Sequence, residues 1–151
     1  VETVRTMARI VEETEKHIHY KKRFFGYDFK IRNQLDAISH ATCGMAIDID
    51  AVSIVVCSLS GKTARMVSRF RPPMNIIGLT TAEKSWRKLS LSWGVVPVMC
   101  ENYNSTDVMF YTATQKAKEV LDLRKGERIV LTGGVTNGKS GNTDLIKVES
   151  I

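Results

Sequence analysis

Long apolar runs and closely spaced cysteines are both missing from this chain of 151 residues. Its apolar runs are only a few residues long, far shorter than a membrane span requires, and no signal pattern opens the chain. The three cysteines (Cys43, Cys57 and Cys100) are an odd number without Cys-x-x-Cys spacing, which argues against a zinc site or a disulfide framework. We therefore expect buried thiols, a cytoplasmic location and no membrane partner.

A catalytic or metal-binding constellation is also missing from the sequence. His17, His19 and His40 fall in a helix end, the linker and a helix middle, an arrangement that favours neither a metal site nor a general base. The serines lack the G-x-S-x-G setting of a nucleophile. We therefore predict no catalytic residue and no metal site in this chain.

The charge of the chain is positive, with a formal net charge of +6. This charge permits anionic partners but does not choose among them. The densest basic run, residues 19–23, is short and comes with no nucleic-acid-binding motif, so we expect a solvated segment and no nucleic-acid partner.

The beginning of the chain differs in pattern from the remainder. Val4, Met7, Ala8 and Val11 recur at helical spacing, already under way at the first residue without a capping residue. The periodicity ends near His17, and a basic, aromatic stretch follows. We interpret residues 1–17 as a helix belonging to a preceding unit, 18–29 as a linker and 30–151 as one domain.

Strand and helix patterns alternate through this domain, which predicts an α/β fold. The first helix should turn Leu35, Ile38, Thr42, Met45 and Ile49 inward, with Ala37, Ala41 and Ala46 allowing close approach to a sheet. The last two strands are joined by a loop and should pair antiparallel. The predicted strands are 52–56, 75–79, 95–99, 128–132 and 145–148; helices are predicted over 63–70, from 80 or 81 to 89, and from 105 or 106 to about 125.

A hydroxyl-rich turn follows the first predicted strand. Ser58, Ser60 and Thr63 are good helix N-caps, and Gly61 allows the backbone to approach a ligand. The free N–H groups of a first helical turn attract anions. The turn therefore predicts a cradle for a phosphate or a carboxylate.

A second glycine-rich stretch, residues 133–140, matches the G-x-x-x-x-G-K-S pattern of a nucleotide-binding P-loop. A P-loop must open a helix, whereas this stretch is followed by Gly141, Asn142 and a short strand. Two interpretations stay open: a loop that closes over a phosphate with backbone donors and one lysine, or a plain surface hairpin.

Several motifs in order resemble the C-terminal domain of pyruvate kinase. They are Ala37-Ile38-Ser39-His40-Ala41, Ser60-Gly61-Lys62-Thr63-Ala64-Arg65, Ser68-Arg69-Phe70-Arg71-Pro72, Leu89-Ser90-Leu91 with Trp93-Gly94-Val95, Thr132-Gly133-Gly134-Val135, and the tail from Gly138 to Val148. Residues 1–10 resemble the last helix of that family's barrel domain. The resemblance covers nearly the whole chain and includes bacterial members of the family.

The resemblance implies a three-layer α/β/α fold with a mixed five-stranded sheet whose last strand is antiparallel. It also implies a regulatory domain that binds an effector and contributes a homo-oligomer contact, while the barrel transfers a phosphoryl group from phosphoenolpyruvate to ADP with magnesium and potassium. The alternative is a purely structural oligomerisation domain.

The resemblance also implies which residues bind the effector. The effector phosphate would lie on Ser58, Ser60, Gly61, Lys62 and Thr63. A loop containing Gly134, Thr136, Asn137, Gly138, Lys139, Ser140 and Gly141 would close over the ligand. Residues 101–106 offer no counterpart to the tryptophan and arginine contacts of members that bind fructose 1,6-bisphosphate, which favours a sugar monophosphate or AMP.

Overall fold

A computed structural model describes residues 1–134 and 142–151 of the chain. The described residues form six helices and five strands. Three helices come first, strands and helices then alternate, and two consecutive strands end the chain. In chain order they are α1 (Glu2–Glu15), α2 (Tyr20–Gly26), α3 (Gln34–Asp48), β1 (Ser53–Cys57), α4 (Lys62–Arg69), β2 (Asn75–Thr80), α5 (Glu83–Leu89), β3 (Val95–Met99), α6 (Thr106–Leu121), β4 (Arg128–Gly133) and β5 (Leu145–Ser150).

The five strands form one mixed sheet in the order β3-β2-β1-β4-β5. The pairs β1–β2, β1–β4 and β2–β3 are parallel, with Val55 opposite both Ile77 and Leu131. The last pair, β4–β5, is antiparallel, with Val130 opposite Val148. The predicted antiparallel ending is therefore confirmed, and β1 lies at the centre of the sheet.

Helices cover both faces of the sheet, so the fold has three layers. Ile54 and Val56 of β1 point to one face, where they share a core with residues of α3, α4 and α5. Val55 and Cys57 point to the other face and pack against α6. All of β1 is buried, as expected for a strand with both faces covered. The predicted α/β/α fold is confirmed.

The inward face of α3 differs from the prediction. Met45, Ala37 and Ala41 are exposed, while Asp36 and Ser39 are buried with the apolar side chains of the helix. The helix packs against α4 as well as against the sheet, so its buried arc is rotated relative to the apolar stripe. Tertiary contacts therefore overrode the simple periodicity.

Two of the three predicted helix caps are wrong. The cap of α4 is Gly61 and that of α5 is Ala82, and neither start has a side-chain cap hydrogen bond. Only Ser105 caps as predicted, accepting from the Val108 N–H at 3.2 Å. The hydroxyls of Thr63 and Thr80 have other partners, because these helix starts lie where strands end and the turns are held by bonds to distant residues.

The stretch predicted as a linker contains α2 and a buried side chain. Phe24 is 2% exposed and packs against His40 and Phe70, with ring centroids 4.8 and 6.5 Å away. Because basic surface residues surround Phe24, the sequence pattern did not indicate that this side chain is buried. By contrast, α1 buries none of its residues. The division of the chain into domains stays a prediction.

Candidate functional site at the carboxyl edge of the sheet

The turn between β1 and α4 is held to the neighbouring strand β2. The Ser58 N–H donates to the Leu79 carbonyl at 3.0 Å, and the Thr80 hydroxyl donates to the Leu59 carbonyl at 2.7 Å. The Gly61 N–H closes the turn on the Ser58 carbonyl at 3.3 Å. A rigid turn at the carboxyl end of parallel strands is a usual location for a ligand in this class of fold.

Gly61 is buried in this turn and adopts a left-handed backbone, with φ of 69°. A Cβ at this position would lie 3.1 to 3.2 Å from the side chain of Leu89. Glycine is therefore favoured here both by the backbone conformation and by the packing of α5 against the turn.

The first turn of α4 presents its backbone donors at the same edge. The first intrahelical bond runs from the Arg65 N–H to the Gly61 carbonyl at 3.1 Å, so the N–H groups of Lys62, Thr63 and Ala64 have no acceptor within the helix. Ser60 and Lys62 are exposed beside them. Such donors, with the positive end of the helix dipole and one lysine, can hold an anion.

The helix start predicted to hold the phosphate is bonded at Thr63 to the segment that follows the predicted closing loop. Its hydroxyl is 2.6 Å from the hydroxyl of Thr143, and both residues are buried. Thr143 lies just before β5, in the stretch that connects the last two strands. Sequence reasoning missed Thr143 as a contact residue, because a hydrogen bond between residues 80 positions apart has no local signal.

The described ends of the glycine-rich stretch lie against each other. The Asp144 N–H donates to the Gly133 carbonyl at 3.1 Å. A Cβ on Gly134 would come within 1.7 Å of the Asn142 carbonyl oxygen, so the two backbones are in close contact there. These contacts and the Thr63–Thr143 bond put residues 133–134 and 142–144 beside the first turn of α4.

The predicted site residues fall into two groups. Ser58, Ser60, Gly61, Lys62 and Thr63 share the turn and helix start, and Gly134 lies directly after β4. The other residues predicted for the closing loop lie outside the described part of the chain; they are Thr136, Asn137, Gly138, Lys139, Ser140 and Gly141. The ligand-binding role of both groups stays a prediction.

The cysteines near the carboxyl edge are weak nucleophiles. Burial raises the pKa of the Cys57 thiol from 9.0 to about 12, with a smaller contribution from the nearby Cys100. Burial also raises the pKa of Cys100, partly offset by a hydrogen bond with Tyr103. Since the thiolate is the reactive form, these thiols are inert near neutral pH.

Residues 1–134 and 142–151 contain no group of three or more His, Cys, Asp or Glu side chains placed to hold a metal ion. None of the described helices is both long enough and apolar enough to cross a membrane.

Comparison with known protein families identifies the family of the chain. The family described as "Pyruvate kinase, alpha/beta domain" matches residues 36–149, which is most of the chain. The chain belongs to the pyruvate kinase family. The resemblance found in the sequence motifs is thereby confirmed. The three-layer fold described above is consistent with the α/β domain of pyruvate kinase.

Curated relatives agree with this assignment. The chain is 39% identical to a pyruvate kinase of Clostridium acetobutylicum over 154 aligned residues, covering 100% of the chain and 32% of the relative. It is 37% identical to one from Bacillus licheniformis, covering 98% and 25%. A pyruvate kinase of Lactobacillus delbrueckii subsp. bulgaricus is 34% identical, covering 100% and 26%. The chain thus spans a quarter to a third of the length of these bacterial relatives.

Proposed function

We propose that this chain is a regulatory domain that binds a phosphorylated small molecule between the β1–α4 turn and the stretch connecting β4 to β5. The phosphate would accept hydrogen bonds from the backbone N–H groups of the first turn of α4, with Lys62 supplying a positive charge. Residues 134–141 would cover the remaining part of the ligand.

The observation that supports this proposal most directly is the buried Thr63–Thr143 hydrogen bond. It joins the helix start, which has the donors, to Thr143, two residues after the segment predicted to close over the ligand. A ligand that contacts both segments would act on two parts of the fold that are already bonded to each other. Its binding at one segment would therefore be felt at the other, and a regulatory ligand needs such an effect.

A sugar monophosphate or AMP is the favoured ligand class over fructose 1,6-bisphosphate. A second phosphate needs a second set of cationic donors, and residues 101–106 contain neither an arginine nor a tryptophan. The segment does contain Glu101, whose negative charge disfavours a dianionic group nearby.

We also propose that the parent protein is a cytoplasmic pyruvate kinase in which phosphoryl transfer belongs to a barrel domain outside this chain. Magnesium and potassium would serve that domain, and this chain alone would be inactive. The proposal rests on the family membership and on the share of the relatives that the chain spans.

A thermal-shift panel tests the effector site. The chain is heated with AMP, ribose 5-phosphate, glucose 6-phosphate or fructose 1,6-bisphosphate at constant ionic strength. A ligand present at a hundred times its Kd adds about 2.7 kcal/mol to the free energy of unfolding, which raises Tm by several degrees. No shift with any of the four would contradict the proposal.

Two variants localise the effect. Lys62→Gln removes the cation at the helix start and should abolish most of the shift, while Lys84→Gln removes an exposed lysine of α5 and should not. Thr63→Ala is less suitable because it removes a buried hydrogen bond and destabilises the chain by itself.

The second candidate is an oligomerisation domain without effector binding. It is favoured by β5, an edge strand of the sheet whose Val148 side chain is 42% exposed. Exposed edge strands readily pair with another copy. A stable dimer by sedimentation together with no phosphate response would support this candidate instead.

A further inference from the structure

A pocket lined by basic and aromatic side chains lies at the opposite end of α4 from the proposed effector site. We call it the basic pocket. Its volume is about 370 Å³, at the lower end of the range for small-molecule sites. Its lining residues are Arg23, Tyr27, Asp28, Phe29, Lys30, Arg32, Arg69 and Phe70.

Arg69 is held in a fixed orientation at this pocket. Its Nη1 lies 3.3 Å from Oδ1 of Asp36, and its Nη2 donates to the Lys30 carbonyl at 3.2 Å. The guanidinium also lies over the Phe70 ring, 5.3 Å from the centroid. The Asp36 side chain is buried, whereas that of Arg69 is 37% exposed. A guanidinium has five N–H donors, so Arg69 can bind a ligand while keeping these contacts.

The main-chain segment that forms the pocket is attached to the same ion pair. The Arg32 N–H donates to Oδ2 of Asp36 at 3.2 Å, and the Lys30 carbonyl accepts from Arg69. Phe29 packs edge-on against Phe70, with ring centroids 4.9 Å apart. Residues 29–32 are therefore anchored, so the pocket exists before any ligand arrives.

Three further cations of the pocket have no acidic partner. Among the ion pairs of the described residues, none includes Arg23, Lys30 or Arg32. Four cations and the single carboxylate of Asp28 line this small volume, with the Asp36 carboxylate behind Arg69. Like charges that line one small pocket repel one another, and a bound anion relieves the repulsion. Arginine is also the side chain whose donor geometry best matches phosphate.

We propose that the basic pocket is a second anion site, which binds the phosphate group of a small molecule through Arg23, Arg32 and Arg69. The source of the group is either inorganic phosphate or a small phosphate ester. This site is separate from the proposed effector site, since α4 lies between the two. Its existence does not depend on effector binding at the turn.

The test is an amide NMR titration of the whole chain with inorganic phosphate and, separately, with ribose 5-phosphate, at constant ionic strength. We expect saturable shifts of the amides of residues 27–32 and 69–70 with both ligands. Equal affinities assign the site to inorganic phosphate, and tighter binding of the ester assigns it to an ester. Shifts that grow linearly, or that chloride reproduces, would overturn the proposal.

Matched variants separate the two sites. The double variant Arg23→Gln/Arg32→Gln replaces two exposed side chains, so it should fold normally and weaken binding at residues 27–32 by about tenfold or more. Lys62→Gln should leave those shifts unchanged and remove the shifts at residues 58–63. Undiminished affinity in the double variant refutes the basic pocket, whereas missing shifts at residues 58–63 refute only the effector site.

Discussion

At the scale of single residues, Gly61 has two constraints that can be separated. Its φ of 69° disfavours any side chain, and Leu89 occupies the space that a Cβ would need. Gly94 has a similar φ of 66° but no atom within 4 Å of an added Cβ. Substitutions at these two glycines therefore separate the cost of backbone strain from the cost of crowding by a neighbouring side chain.

We expect Gly61→Ala to be more destabilising than Gly94→Ala. Left-handed backbone costs an alanine about 1 to 2 kcal/mol, which both variants lose. Crowding against Leu89 adds about 1 kcal/mol or more for Gly61→Ala alone. Urea unfolding of both variants measures the difference, and equal losses would show that Leu89 moves aside freely.

Also at this scale, the buried thiols make stability depend on alkaline pH. The folded state raises the pKa of Cys57 to about 12, so the thiol stays protonated when folded and ionises more readily when unfolded. Its contribution is complete below its unfolded pKa of 9.0 and is lost as the pH rises towards 12, by about 1.4 kcal/mol per pH unit.

The corresponding measurement is urea unfolding at several pH values between about 8 and 11, for the wild type and for Cys57→Ala. The other titrating groups are common to both proteins and cancel in the comparison, except Tyr103, whose pKa Cys57 helps to raise. The wild type should lose stability more steeply than the variant. Parallel curves would mean that Cys57 ionises equally in both states.

At the scale of elements, the Asp36–Arg69 pair joins three pieces of chain. Asp36 lies on α3, Arg69 ends α4, and both contact the segment 30–32 that precedes α3. The periodicity of α3 did not indicate a buried aspartate, because an aspartate is buried only when distant residues supply its partners. The contact between α3 and α4 decided this position.

We expect Arg69→Met to lower the free energy of unfolding by about 2 to 4 kcal/mol, because it leaves the Asp36 carboxylate buried without its cation. The partial exposure of Arg69 keeps the loss below that of a fully buried pair. Arg87→Met, which breaks the exposed pair with Glu83 on α5, should cost about 0.5 kcal/mol or less. Similar losses in both would refute the assigned importance of the Asp36–Arg69 pair.

At the scale of the whole molecule, the two N-terminal helices differ in how they contact the core of the domain. No residue of α1 is buried, whereas Phe24 of α2 packs into the core shared by α3, α4 and α5. Phe24 therefore attaches α2 to this core, although the basic residues around it favoured a linker in the sequence pattern.

Truncation tests this division. A chain starting at His17 should unfold within about 0.5 kcal/mol of the full chain, because it loses no buried contact. Phe24→Ala should cost about 3 to 5 kcal/mol, and the exposed neighbour Phe25→Ala far less. A large loss on removing α1 would show that it packs on the domain in solution.

The sequence by itself determined the order and type of most elements from residue 34 onward, the antiparallel ending of the sheet, and the family. Short β-branched runs, turn glycines and motifs in order are local signals, so they can be read without the fold. The proposed effector turn, residues 58–63, was found in the same way.

Only the tertiary structure decided which hydroxyls cap helices, which face of α3 is buried, and that Thr143 meets Thr63. It also placed Phe24 in the core and gathered the cations of the basic pocket. Each of these features is a contact between residues distant in sequence. The partner that stabilises a buried polar group, or the cavity that accepts a side chain, exists only once the chain is folded.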